Sequence, residues 1–173
     1  RRRLRGAHAA RPLQLSGERL MNGFWLFVHY ITFTMWLGGA LAAMVIGISM
    51  KKIDRGLWGA VVDAQAALYR VMIGPGAIGV ILSGILLTFR MYGAMAGGGA
   101  NPWIGTMQGA GIVGALVTLL GAMPAAAKLS RLEPIGAQEA AFGAQRKRLA
   151  IAGSIGGSLG IIALLASAFY LRP

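Results

Sequence analysis

The sequence contains no cysteine and very few acidic residues. Its 173 residues include five Asp and Glu against 17 Lys and Arg, which gives a formal net charge of +12. Without cysteine there is no disulfide framework, no thiolate metal site and no cysteine nucleophile. Charged residues make up 13% of the chain and hydrophobic residues 56%, whereas a soluble domain has roughly 25% and 45–50%. This composition excludes a disordered chain and argues against a soluble one.

The basic residues lie between long uncharged runs. In a soluble protein, a net charge of +12 would suggest binding to nucleic acid. Lys and Arg that flank long uncharged runs are instead typical of a membrane protein with basic loops. The sequence therefore predicts the lipid bilayer as a partner and no binding to nucleic acid.

Four uncharged runs are long enough to cross a bilayer as helices. A spanning helix needs about 20 apolar residues to cover roughly 30 Å of hydrocarbon, and none of the runs alternates between apolar and polar residues as a strand does. We therefore predict an all-α fold, an integral membrane four-helix transmembrane bundle. The predicted spans are residues 23–50, 71–90, 103–127 and 149–171.

The charged segments between the spans predict the rest of the architecture. Residues 51–70 place apolar side chains at helical spacing among charges, which indicates a short interfacial helix between spans one and two. Residues 130–148 form a polar connection with a basic end. Residues 1–20 are interpreted as a basic N-terminal arm that lies against another protein, and residues 21–173 as the transmembrane domain. The arm residues assigned to such contacts are Arg1, Arg2, Arg3 and Arg5.

The distribution of Lys and Arg predicts the orientation. Residues 51–70 and 128–148 carry nine of them, against two for Arg90 and Arg172 at the other end of the spans. Basic loops face the cytoplasm, so this count predicts that residues 51–70 and 130–148 are cytoplasmic. The six arginines of residues 1–20 make the two sides nearly equal when they are included.

Small residues recur along the second, third and fourth predicted spans. Gly153–Gly157 and Gly156–Gly160 have the G-x-x-x-G spacing that lets helix backbones approach closely in a membrane. One interpretation is packing within the chain, and the other is a docking face for a neighbouring subunit. The fourth span has enough small residues for one side to serve each purpose. The residues assigned to helix packing or partner docking are Gly38, Gly39, Gly153, Gly156, Gly157 and Gly160.

Within the predicted spans, the candidate functional residue is His29. All five carboxylates fall outside the predicted spans, so no acid pair is available for a proton relay. A histidine inside a span is a functional-site hypothesis by default, because a neutral imidazole nitrogen can ligate a haem iron or another metal. The alternative is a hydrogen bond to a neighbouring helix or a position at the membrane interface.

The residues from His29 onward resemble a known group. His29 to Gly39 reads H-x6-W-x-G-G, which resembles the opening of small four-span bacterial membrane proteins that include HemJ-type protoporphyrinogen oxidases and the CopD-type copper-resistance domain. Residues 68–75 resemble the L-Y-x-x-M-x-x-P start of the second HemJ-type span, and Ser83-Gly84 resembles its later small pair. The resemblance covers about residues 24–107. It implies the four-span fold and a bacterial cytoplasmic (inner) membrane.

The third span departs from that resemblance. HemJ-type proteins begin it with W-x-H-x-K, which supplies groups implicated in haem binding and activity. Here Trp103 is kept, but Gly105 replaces the histidine and Met107 replaces the lysine. A thioether ligand from Met107 is conceivable, and core packing is the alternative. The resemblance therefore implies fold and ancestry better than enzymatic activity.

Two functional classes follow. The first is a non-catalytic accessory or structural subunit of a larger membrane protein complex, built on a HemJ/CopD-like scaffold, with other membrane protein subunits as partners. The second is a membrane redox protein that binds b haem or porphyrin through His29. Copper handling rests only on the CopD-like opening, because no Met or Met/His cluster concentrates possible ligands. No catalytic residue is assigned, and the sequence leans against an enzyme.

Overall fold

The computed structural model describes residues 7–92 and 102–170, and all regular structure in these ranges is helical. In chain order the α-helices are α1 (Ala7–Ser49), α2 (Trp58–Leu68), α3 (Gly74–Tyr92), α4 (Pro102–Val117), α5 (Met123–Leu129) and α6 (Glu139–Tyr170). Two π-helical turns, Tyr69–Ile73 and Thr118–Ala122, join α2 to α3 and α4 to α5 without a break. The predicted all-α fold is confirmed.

These elements make four long helical segments. Each is long and apolar enough to cross a membrane, which agrees with the four runs predicted from the sequence. The segments are Gly17–Lys52, Arg55–Arg90, Pro102–Leu129 and Gly136–Phe169. They extend beyond several predicted limits, because polar residues at the ends of an apolar run continue the helix when their backbone hydrogen bonds are satisfied within it.

The predicted interfacial helix and part of the predicted N-terminal arm belong to these long helices. The segment predicted as a short interfacial helix, residues 51–70, contains α2, and α2 continues into α3 through the π-helical turn. The second part of the predicted arm, from Ala7 onward, belongs to α1. The arm residues Arg1, Arg2, Arg3 and Arg5 lie outside the described residues.

The bundle is held by two closely packed helix pairs, α1 with α3 and α4 with α6. At the first contact, a Cβ atom on Gly76 would lie 2.6 Å from the backbone nitrogen of Trp36 and 2.8 Å from the carbonyl oxygen of Thr32. Only glycine permits this approach, since the neighbouring atoms are backbone and have no rotamer to change. The largest fully buried side chains are Trp36, Met50, Ile73, Leu129, Val62 and Ser83.

The outer surface of the bundle is strongly apolar. Leu20, Phe89 and Leu120 are each at least three-quarters exposed, at 76%, 76% and 75%. Monomeric soluble proteins rarely expose apolar patches larger than a few hundred Å². An outward apolar surface on helices of spanning length is the arrangement that a bilayer solvates.

Candidate functional site

His29 lies on α1 and faces α3. Its Nδ1 is 2.9 Å from the hydroxyl oxygen of Ser83, and that hydroxyl donates its single hydrogen to the carbonyl oxygen of Gly79 at 2.6 Å. In the tautomer that satisfies both contacts, the imidazole donates through Nδ1 and Nε2 keeps its lone pair. Gly84 makes room for the ring, because a Cβ there would lie 3.2 Å from His29 Cε1. The predicted hydrogen bond to a neighbouring helix is present.

Trp36 lies at the centre of the bundle, two turns beyond His29 on α1. Its side chain is fully buried, and its indole Nε1 donates to Thr118 Oγ1 at 3.0 Å. The Thr118 hydroxyl in turn donates to the carbonyl oxygen of Gly114 at 2.9 Å. This chain of hydrogen bonds joins α1 to α4 at the start of the second π-helical turn. Because π-helical turns occur frequently at functional sites, the contact is a candidate positioning element as well as a packing one.

A polar pair that the sequence analysis missed lies between α3 and α4. Gln108 Nε2 donates to Thr88 Oγ1 at 2.6 Å, and the Thr88 hydroxyl donates to the carbonyl oxygen of Gly84 at 2.8 Å. Gly84 is also the residue against which the His29 ring packs. The available signal was the amide itself, since Gln108 is the one amide side chain of the predicted third span.

The second proposed haem ligand is not brought to His29 by any described contact. Met107 is half-buried on α4, and the polar connection from α4 toward the His29 region runs through its neighbour Gln108. Among the described residues, no group of three or more His, Cys, Asp and Glu side chains could hold a metal ion. His29 is thus the single strong nitrogen ligand that the described spans offer.

Most of the glycines assigned to packing or docking face inward. Cβ atoms on Gly39, Gly153 and Gly160 would lie 2.7 Å from Ile73, 3.1 Å from the Tyr69 hydroxyl and 3.1 Å from Leu37. Gly156 is tighter still, because its Cβ would lie 2.5 Å from Thr118 Oγ1 and 3.2 Å from the carbonyl oxygen of Gly114. These four residues therefore serve packing within the chain. Gly38 and Gly157 are different, since a Cβ on either would meet no atom within 4 Å.

The two faces of α6 have separate environments. Gly153, Gly156 and Gly160 look into the bundle, as their contacts show. On the other side, Ser154 and Ser158 are exposed, and Gly157 lies beside them over open space. Small residues thus line both faces of the fourth span, as the sequence suggested, and the described residues occupy only one of these faces.

One end of the bundle is closed by a cluster of charged and aromatic side chains. Arg55 forms an ion pair with Glu139 at 2.5 Å, and both side chains are more than half exposed. The Trp58 ring stacks on Phe142, and the guanidinium carbon of Arg146 lies 4.9 Å from the Trp58 ring centroid. The segments 51–70 and 130–148 consequently lie together at the same end. This arrangement is required if both face one side of a membrane.

Comparison with known proteins finds no counterpart: no protein-family model, curated protein or solved structure matches this chain. The resemblance to the HemJ and CopD group therefore stays a prediction based on the residues around His29, Tyr69 and Trp103.

Proposed function

We propose that this chain is a four-span membrane protein that serves as a non-catalytic accessory subunit of a larger membrane complex. Two features of the fold support membrane insertion. Four helical segments have spanning length and composition, and many large apolar side chains along them are exposed on the outer surface of the bundle. The observation that carries the subunit role is the small-residue face of α6 that the described part of the chain leaves uncovered.

The proposal places the protein in a bacterial cytoplasmic membrane with segments 51–70 and 130–148 in the cytoplasm. The ion pair between Arg55 and Glu139 supports a common side for both segments. Their high content of Lys and Arg supports the cytoplasmic side, because basic loops are retained there during insertion.

The outward face of α6, formed by Ser154, Gly157 and Ser158, has the chemistry of a helix-docking surface. Lipid tails are as apolar as leucine, so helices in a bilayer associate through close packing and interhelical hydrogen bonds. Gly157 offers close approach, and the exposed serine hydroxyls offer hydrogen-bond partners. A transmembrane helix of another subunit is the partner that fits this face.

Replacing Gly157 by leucine should release the protein from its complex. The new side chain would project from the outward face and keep a partner helix at a distance, with a loss of about 1–2 kcal/mol. This corresponds to a fall of roughly 5- to 30-fold in the affinity for the partner. The measurement is the amount of membrane protein that co-purifies with the tagged chain from its native membrane in mild detergent.

The control is Ala64→Leu, which places the same leucine side chain at an exposed position of α2. This variant should retain the partner, because Ala64 lies on a different helix from the Ser154, Gly157 and Ser158 face of α6. The subunit role is wrong if the wild-type chain purifies alone, or if both variants retain the partner equally.

The alternative function is that of a membrane redox protein that binds b haem. The hydrogen bonding of His29 supports this alternative. Its Nδ1 is engaged by Ser83, which leaves Nε2 free to bind iron. Metal-binding histidines usually donate their other ring nitrogen in this way. Haem b would supply one-electron transfer when bound; His29 would hold its iron, and Ser83 would orient the imidazole.

A visible absorption spectrum of the chain purified from its native membrane separates the two functions. As an accessory subunit, the protein should show no haem band, and His29→Ala should leave partner retention unchanged because the ring makes a local hydrogen bond. A b-type haem spectrum that disappears in His29→Ala and persists in Gly157→Leu would establish the redox function instead.

A further inference from the structure

A shallow and almost wholly apolar groove lies on the outside of the bundle between α4 and α6. Its walls are apolar and come from Val117, Ile151, Ala152 and Ile155, and it has a volume of about 360 Å³. Lys147 and Arg148 also line it. We propose that this groove binds an anionic phospholipid, with the phosphate held by Lys147 and Arg148 and one acyl chain lying along the apolar walls.

The two cations are available for such a ligand. Lys147 and Arg148 are exposed on α6, and neither forms an ion pair with a described carboxylate. Arg146, the preceding residue, is used differently: its Nη2 donates to the carbonyl oxygen of Gly47 in the last turn of α1, and its guanidinium lies over Trp58. One arginine of the basic run thus closes the bundle, and the other two cations remain at the groove.

The groove spans the boundary between polar and apolar residues of α6. Residues 149–171 are uncharged, so Lys147 and Arg148 stand where a headgroup region would begin. Ile155 is eight residues beyond Lys147, about 12 Å along a helix at 1.5 Å per residue. That depth stays within one leaflet of a hydrocarbon core of roughly 30 Å. The groove therefore matches a headgroup with the upper part of its acyl chain.

The positive charges and the apolar walls of the groove together indicate which ligand fits it. Lys and Arg at the cytoplasmic surface attract anionic lipids, and basic pockets between transmembrane helices bind lipid phosphates. An arginine guanidinium can bind a phosphate with two parallel hydrogen bonds. A soluble anion would leave the apolar walls of Val117, Ile151 and Ile155 uncovered, and a zwitterionic lipid would leave the positive charges uncompensated. An anionic phospholipid satisfies both requirements.

The inference rests on the proposed membrane insertion, and it is independent of the subunit role. Its test uses the full chain in nanodiscs that contain equal amounts of phosphatidylglycerol and phosphatidylcholine. Lipids that stay bound after gentle release are counted by native mass spectrometry. The wild-type chain should retain phosphatidylglycerol in preference to phosphatidylcholine.

A double change of Lys147→Gln and Arg148→Gln should lower the affinity for phosphatidylglycerol by about 30-fold, as expected for two surface cations. The matched control is Lys51→Gln with Lys52→Gln, which removes the same charge from exposed residues at the same end of the bundle. This control should keep the preference.

A second pair of variants tests the groove without changing the charge. Ala144→Trp would fill the groove that Ala144 lines, and should also lose the bound lipid. Ala150→Trp adds the same ring at an exposed position of α6 outside the groove lining, and should retain it.

The outcomes separate the two proposals. A chain that does not incorporate into nanodiscs overturns membrane insertion and the lipid site together. Incorporation without a preference for phosphatidylglycerol, or an equal loss in the control and test variants, overturns the lipid site alone.

Discussion

Replacing Gly156 by alanine is expected to destabilise the bundle by about 1–3 kcal/mol, the usual effect of adding a group to a filled core. The new Cβ would lie 2.5 Å from Thr118 Oγ1 and 3.2 Å from the carbonyl oxygen of Gly114. Thr118 cannot turn away freely, because its hydroxyl accepts a hydrogen bond from Trp36 and donates one to Gly114. The two helices must therefore separate or lose these hydrogen bonds.

The neighbouring glycine provides the control for this effect. Gly157→Ala places the same methyl group over open space, and alanine is favoured over glycine in a helix by up to about 1 kcal/mol. The two alanine variants should thus shift stability in opposite directions. Unfolding by SDS titration in mixed micelles, followed by tryptophan fluorescence, measures both. Equal shifts would show that α6 does not pack on α4 through Gly156.

Among the described residues, replacing Trp36 by alanine should be the most damaging single truncation, with a loss of about 3–5 kcal/mol. The side chain is 0% exposed, and its ring lies against α4 at Gly114 and against α6 at Gly160. These two glycines have no side chain that could move to refill the space. The same SDS titration measures the loss, and Phe27→Ala is the control because Phe27 is 61% exposed.

The hydrogen bond of Trp36 can be tested without creating the cavity. Thr118→Val keeps the volume of the side chain and leaves the indole N–H without its acceptor, which costs about 1–3 kcal/mol for a buried donor.

If Trp36→Ala were no more destabilising than Phe27→Ala, Trp36 would not be the centre of the bundle.

The positions of His29 and Trp36 follow from the sequence, but the residues that surround them do not. Seven residues are about two helical turns, so this spacing places both on one face of the first span. Spacing within one helix says nothing about which side chain of another helix lies opposite, so the partners Ser83 and Thr118 emerged only from the packing. Gln108 was missed for the same reason, since its significance depends on Thr88 across the α3–α4 contact.

The glycines of the fourth span show most clearly what sequence spacing alone does not predict about helix packing. Their G-x-x-x-G spacing indicated close helix packing but did not distinguish a contact within the chain from one with another subunit. A rotation of about 100° per residue separates Gly156 from Gly157. Gly156 meets Thr118 at the core, and Gly157 faces open space.

The sequence by itself determined the all-helical fold and the four apolar segments. Helix length and hydropathy are properties of each segment alone, because every backbone hydrogen bond of a helix is made within it. The tertiary structure decided which small residues are buried, which lone pair of His29 is free, and where Lys147 and Arg148 meet an apolar groove. These properties depend on the relative rotation and separation of different helices, which are fixed only when the helices pack against one another.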